Sequence, residues 1–189
     1  MKLTTRSVIL TVFLIAVATI TKIVCAPNLS LSGFSPIIAI ALFSGMIVKD
    51  KNISFLLPLL ALLASDLIIE VLYKAGLFAF SGFYKYQFIN YSFILLTTLL
   101  GWAIKGKKLG TVLAGAFGGA TLFFLLSNFS VWFFSNHTIY SYDAKGLMAC
   151  YVAGLPFYAR ALTATIIFLP LIIASYNYII KSQPRLTLA

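Results

Sequence analysis

The sequence predicts an all-α integral membrane protein: a six-transmembrane-helix bundle with both termini inside (N-in/C-in), forming a single transmembrane domain over residues 1–189. Three observations carry that expectation. The chain is 61% hydrophobic and only 10% charged, against about 25% charged residues in ordinary soluble domains, and its mean hydropathy is +1.03. So few charges leave a water-facing surface uncovered, whereas lipid solvates apolar side chains directly. Apolar runs close to the ~20 residues that a helix needs to cross ~30 Å of hydrocarbon recur along the chain. Finally, the basic residues punctuate these runs instead of gathering on one amphipathic element. The net charge of +10 therefore reads as loops facing anionic headgroups of the bilayer, with no nucleic-acid partner.

The first run, Ser7 to Cys25, follows Lys2 and Arg6 and shares that opening with secretory signals. Lys22 interrupts its end, Pro27 follows the small residue Ala26, and Cys25 lacks a lipobox, so the segment is expected to be a retained first helix. Asn28 to Gly33 makes a polar turn before a second span, Phe34 to Val48, which is short and nearly uncharged. The charged turn Lys49-Asp50-Lys51 leads to a third span, Ile53 to Tyr73. Lys74 to Gln87, rich in aromatics and glycine, connects it to a fourth, Phe88 to Ile104. The turn Lys105-Gly106-Lys107-Lys108 precedes the fifth, Leu109 to Phe134. A second long connection, Ser135 to Leu155, leads to the sixth, Pro156 to Ile180. With an inner N-terminus, nine Lys and Arg fall inside and five (Lys22, Lys74, Lys85, Lys145, Arg160) outside, the bias of an inner membrane protein. Both long connections then lie outside.

Small residues four apart mark close helix approach: Ala41 and Gly45 in the second span, Ala61 and Ser65 in the third, and Gly115 and Gly119, with Ala114 and Gly118 beside them, in the fifth. Small faces let backbones approach, either within the bundle or against a partner subunit. Asp66 and Glu70 are the only acids inside an apolar run and share a helical face at i and i+4. An ionisable group in hydrocarbon costs several kcal/mol, so each should face a cavity or a partner, with Arg160, Lys74 and Lys85 the candidates. Asn128 and Trp132 form another i, i+4 pair, an amide needing hydrogen bonds and a ring able to stack. Eight of ten tyrosines, Tyr151 among them, fall on the predicted outer side, which favours a recessed aromatic site opening outward. Cys25 and Cys150 either pair or stay as buried thiols. His137, the only histidine, lacks neighbouring ligands and reads as a loop residue, so no metal is expected. HExxH, GxSxG, Walker lysine and CxxC motifs are absent. The chain is therefore not expected to be an enzyme, to need a cofactor, or to use ATP itself.

Several strings carry a resemblance. They are Phe34-Ser35-Pro36-Ile37 with Ala39, Ala41-Leu42-Phe43 and Gly45; Ser65-Asp66-Leu67; Phe123-Phe124, Ser127-Asn128-Phe129 and Val131-Trp132; and Gly146-Leu147, Cys150-Tyr151 and Pro156-Phe157-Tyr158. From about Asn28 to Phe168 the chain resembles an uncharacterised family of small bacterial inner-membrane proteins, similar in turn to substrate-binding (S) components of energy-coupling-factor (ECF) vitamin transporters. The resemblance implies high-affinity binding of a micronutrient under outer loops, with a partner transmembrane subunit and two ATPases driving uptake. Such components often carry an AxxxA face on the first helix, whereas this first helix has Ala16, Ala18 and Thr19. Asp66, Asn128, Trp132, Tyr151 and Arg160, with Glu70, are the residues expected to contact the ligand. The other reading is a non-transport membrane protein. It would be a structural subunit packing through Gly115 and Gly119, or a lipid-modifying enzyme using Asp66 and Glu70.

Overall fold

The computed structural model describes residues 5–25, 27–106, 108–135 and 138–181. His137 lies outside the described residues. Six α-helices occur among them, α1 (Thr5–Cys25), α2 (Ile37–Ile47), α3 (Lys51–Lys74), α4 (Gln87–Ile104), α5 (Leu109–Phe134) and α6 (Ala144–Lys181), with a 3-10 turn at Leu29–Leu31 and no strand. Five of the six are long and apolar enough to cross a membrane. Their lipid-type character is visible in the side chains left outward, such as Val12, Val24, Val71, Phe117 and Leu171.

α2 is the exception and the centre. Its eleven residues rise only about 16 Å, roughly half of the hydrocarbon thickness. Pro36 stands at its N-cap and Val48 is already extended, so the predicted span Phe34 to Val48 is helical only in its middle. Every residue from Ile38 to Met46 is buried, because α3, α4, α5 and α6 all pack around it. A helix apolar on all sides belongs in a core. The small residues are spent on this packing. A Cβ on Gly45 would overlap the Thr98 carbonyl and come within 3.0 Å of Gly101 Cα, and one on Gly119 would sit 2.8 Å from Leu42 Cδ1. Gly115 faces Met46, with Sδ 3.4 Å from such a Cβ, and Ala41 is fully buried. These four positions hold the bundle to itself.

α3 starts where Asp50 accepts the Ile53 amide at 3.0 Å, a side-chain N-cap. The turn between α4 and α5 closes with positive φ at Lys105 and Gly106. α6 departs most from expectation. Helix was expected from Pro156 with a loop to Leu155, but α6 begins at Ala144 and runs 38 residues, carrying Pro156 and Pro170 inside it. A proline is tolerated within a helix whose neighbours re-satisfy the freed carbonyl, so the expected span from Pro156 began too late. The true start is the cap at Asp143, which accepts the Gly146 amide and the Ser141 hydroxyl, both at 2.7 Å. Those bonds, the Gly146 amide first, hold the Asp143 carboxyl below the usual aspartate range. A depressed folded value makes this cap fully stabilising above the unfolded aspartate pKa and lost as pH falls through the folded one. Asp143→Ala should accordingly speed hydrogen exchange at the Gly146 amide at neutral pH, with the difference from wild type vanishing in strong acid.

Candidate functional site

At the end of the bundle where α1, α3 and α5 finish and α2 and α4 begin, the helices leave a cavity of about 680 Å³. The charged turns at 48–51 and 105–106 lie at the other end. Segment 27–36 lines one side of the cavity and the α3–α4 loop another. Its walls are largely apolar, with the aromatics Phe34, Phe80, Phe123, Phe124, Phe157 and Tyr158 among them. Phe124 packs against Tyr158 with centroids 4.9 Å apart, and the Tyr158 hydroxyl meets Thr121 Oγ1 at 2.9 Å.

Asp66 is buried at the cavity wall, as its position in an apolar run requires. Its partner is Lys22 from the last turn of α1, an ion pair that replaces the expected Arg160, Lys74 or Lys85. The ammonium also donates to Ser65 Oγ at 3.2 Å. The second carboxylate oxygen accepts from Gln87 Nε2 and the Tyr91 hydroxyl, and Gln87 Nε2 reaches the same hydroxyl at 3.1 Å. Gln87 Oε1 in turn accepts the Tyr84 amide at 3.0 Å. Three helices, α1, α3 and α4, thus converge on one carboxylate. A buried charge held by a counter-ion and two neutral donors is satisfied in both senses, electrostatic and hydrogen-bonding.

Glu70, one turn further along α3, points instead to the α3–α4 loop. It accepts the Ser81 hydroxyl at 2.7 Å and the Gly82 amide at 3.0 Å, and pairs with Lys74 at 3.3 Å. Gly82 presses so closely on α3 that a Cβ would overlap the Asp66 carbonyl. Glu70 is therefore the fastening of the loop that carries Phe78, Phe80 and Tyr84 over the cavity, and is absent from the wall itself.

Asn128 does reach the wall. Its Nδ2 donates to the Phe124 carbonyl at 2.9 Å. Gly154 of α6 makes the room, since a Cβ there would overlap the Asn128 amide oxygen. Cys150 closes the same crossing by donating its thiol to the Asn128 carbonyl at 3.3 Å. Both cysteines are free thiols and buried, with Cys25 at the cavity.

Trp132, Tyr151 and Arg160 are not brought to this cavity. Trp132 turns outward to donate to the Ser141 carbonyl at 2.9 Å and stacks on Tyr142 at 4.5 Å. Tyr151 binds the Leu125 carbonyl at 2.9 Å and lies edge-on to Phe124, behind the wall. Arg160 donates to the Ser32 carbonyl at 2.9 Å and sits in a separate shallow groove with Pro156 and Thr163. It thus anchors segment 27–36 from outside. Lys22, Gln87 and Tyr91 were missed as site residues. The signal for Lys22 was present as a lone base inside the end of an apolar run, the natural counter-ion for a lone acid in another. Among the described residues no cluster of three His, Cys, Asp or Glu side chains has metal-binding geometry.

A family model described as a family of unknown function, DUF6580, matches residues 1–186. The chain belongs to the DUF6580 family. No curated protein and no solved structure matches it. For this DUF6580 protein the case for function therefore rests on the cavity: a recess with largely apolar walls and two polar anchors, Lys22–Asp66 on one wall and Asn128 on another.

Proposed function

We propose that this protein is a membrane transport component of the bacterial inner (plasma) membrane, binding a vitamin or vitamin precursor for uptake as ECF S components do. The observation that carries this reading is the cavity of about 680 Å³, within the 300–1,000 Å³ typical of small-molecule sites. Lys and Arg counts support an outward mouth, nine basic residues on the opposite side against five on this one. In this N-in/C-in arrangement α2 completes a sixth crossing together with the irregular segment 27–36, irregular backbone being tolerated at membrane depth where it lines a cavity. With no nucleotide-binding motif in the chain, energy would come from a partner transmembrane subunit and its ATPases. An enzymatic role is less well served: Asp66 has both oxygens occupied and Glu70 fastens a loop.

The test is thermal denaturation of the purified protein across a panel of vitamins and precursors, with native mass spectrometry for a co-purified small molecule. A true ligand at one hundred times its Kd stabilises by about 2.7 kcal/mol, an unmistakable shift. Asn128→Ala should reduce that shift and also lower the unliganded melting temperature, since it strips the packing of Asn128 against Gly154. Absence of any shift together with absence of any co-purified mass would remove the reading.

A further inference from the structure

The chemistry of the occupant follows from which polar valences at the cavity are already used. Lys22 and Asp66 are the only charged residues lining it among those described. Asp66 has nothing left to offer. One oxygen holds Lys22, the other holds Gln87 and Tyr91, and its side chain is only 5% exposed. Lys22 is the opposite case, with a side chain 33% exposed. An ammonium has three donors, and among the described residues two are spent, on Ser65 and Asp66. The third has no partner among the described residues, and Lys22 lines the cavity. The ends of α1, α3 and α5 and the starts of α2 and α4 lie at this end together, so the helix dipoles favour neither sign. The nearest further acid, Glu70, is held by Ser81, Gly82 and Lys74. The cavity therefore presents an ammonium donor and hides its one carboxylate. Asn128 adds no charge to this wall: its Nδ2 is spent on the Phe124 carbonyl and its amide oxygen packs against Gly154 of α6.

We infer that the occupant is an uncharged or singly anionic aromatic molecule whose carboxylate or carbonyl takes the unspent N–H of Lys22, and that cationic ligands are refused. A ligand ammonium would stand beside a like charge and compete for an oxygen already filled, whereas an acceptor completes the valence of Lys22. This rests on the binding role proposed above and names the ligand class for it.

Three probes sharing one ring separate the charge requirement: 2-naphthoate, 2-naphthamide and 2-naphthylmethylammonium. Each is titrated by calorimetry into the full-length protein in nanodiscs of zwitterionic lipid, with empty nanodiscs subtracted. The carboxylate and the amide should bind, and the ammonium about tenfold or more weakly, the difference expected of one charge-assisted hydrogen bond. The doubly neutral variant Lys22→Met/Asp66→Asn, which leaves no unpaired charge, should weaken the amide along with the carboxylate and lose the preference for carboxylate over ammonium. Equal or tighter binding of the ammonium to wild type overturns the inference and leaves the binding role standing. A preference that survives in the double variant overturns Lys22 as its origin. If none of the three binds, the aromatic class is overturned, and the binding role falls only if the vitamin panel is also silent.

Discussion

Lys22→Met is expected to destabilise the protein by about 3–5 kcal/mol, the range for stripping one partner from a buried ion pair, and toward the low end because Lys22 keeps 33% exposure. The loss arises less from the missing attraction than from the carboxylate left behind. Asp66 would retain Gln87 and Tyr91 as donors, but no positive charge. The decisive comparison is the double variant Lys22→Met/Asp66→Asn. An amide at 66 still accepts a hydrogen bond on its oxygen, and no charge remains to be desolvated, so most of the stability should return. A double-mutant cycle on thermal or denaturant midpoints in detergent would then give a large coupling energy. Additive losses would mean that Lys22 and Asp66 contribute separately and the pair is incidental.

The second large effect is expected at Gly45. Gly45→Ala places a methyl into the Thr98 carbonyl and against Gly101 Cα. These are backbone atoms, and neither can swing aside. α2 cannot retreat either, being buried along its whole middle. Overpacking of this kind costs about 1–3 kcal/mol or more. Gly119→Ala meets the side chain of Leu42 instead, which yields somewhat because a rotamer can adjust, so its cost should be smaller. Gly110→Ala meets nothing within 4 Å and should be neutral or stabilising by up to about 1 kcal/mol from helix propensity. The melting temperatures should fall in that order. Equal losses at Gly45 and Gly110 would show that the α2–α4 crossing is not tightly closed.

Hydropathy marked the peripheral helices well because each is a continuous apolar run stopped by charge. Leu109 to Phe134 coincides with α5, and the expected spans for α1, α3 and α4 differ from the helices by one or two residues at an end. It served poorly where helix and span are different things. α2 shows this, since Phe34, Ser35 and Val48 are apolar or small enough to prolong the run without being helical. In α6 the reverse happens. Residues 144–155 are helical, but Lys145, Gly146 and Gly154 dilute the apolar signal there. For the site, Asp66 and Asn128 stood out because a polar group in an apolar run must have a reason to be there. Trp132, Tyr151 and Arg160 were placed at the right end of the bundle. A span assignment gives depth but not azimuth, and their side chains point away from the cavity toward carbonyls at Ser141, Leu125 and Ser32. Lys22 was legible as a charge and not as a partner, since the pairing joins residues 44 positions apart.

The brevity of α2 bears on how the chain is made. A segment half a bilayer long has no stable lipid-facing position of its own, and its backbone ends find their neighbours only inside protein. It leaves the ribosome before α3 to α6, yet Phe43 rests edge-on against Tyr176 near the end of α6, with ring centroids 5.4 Å apart. Its enclosure thus waits for α6. Premature termination before α6 would strand a naked apolar rod at the heart of an unfinished bundle, the kind of lesion that cellular surveillance removes.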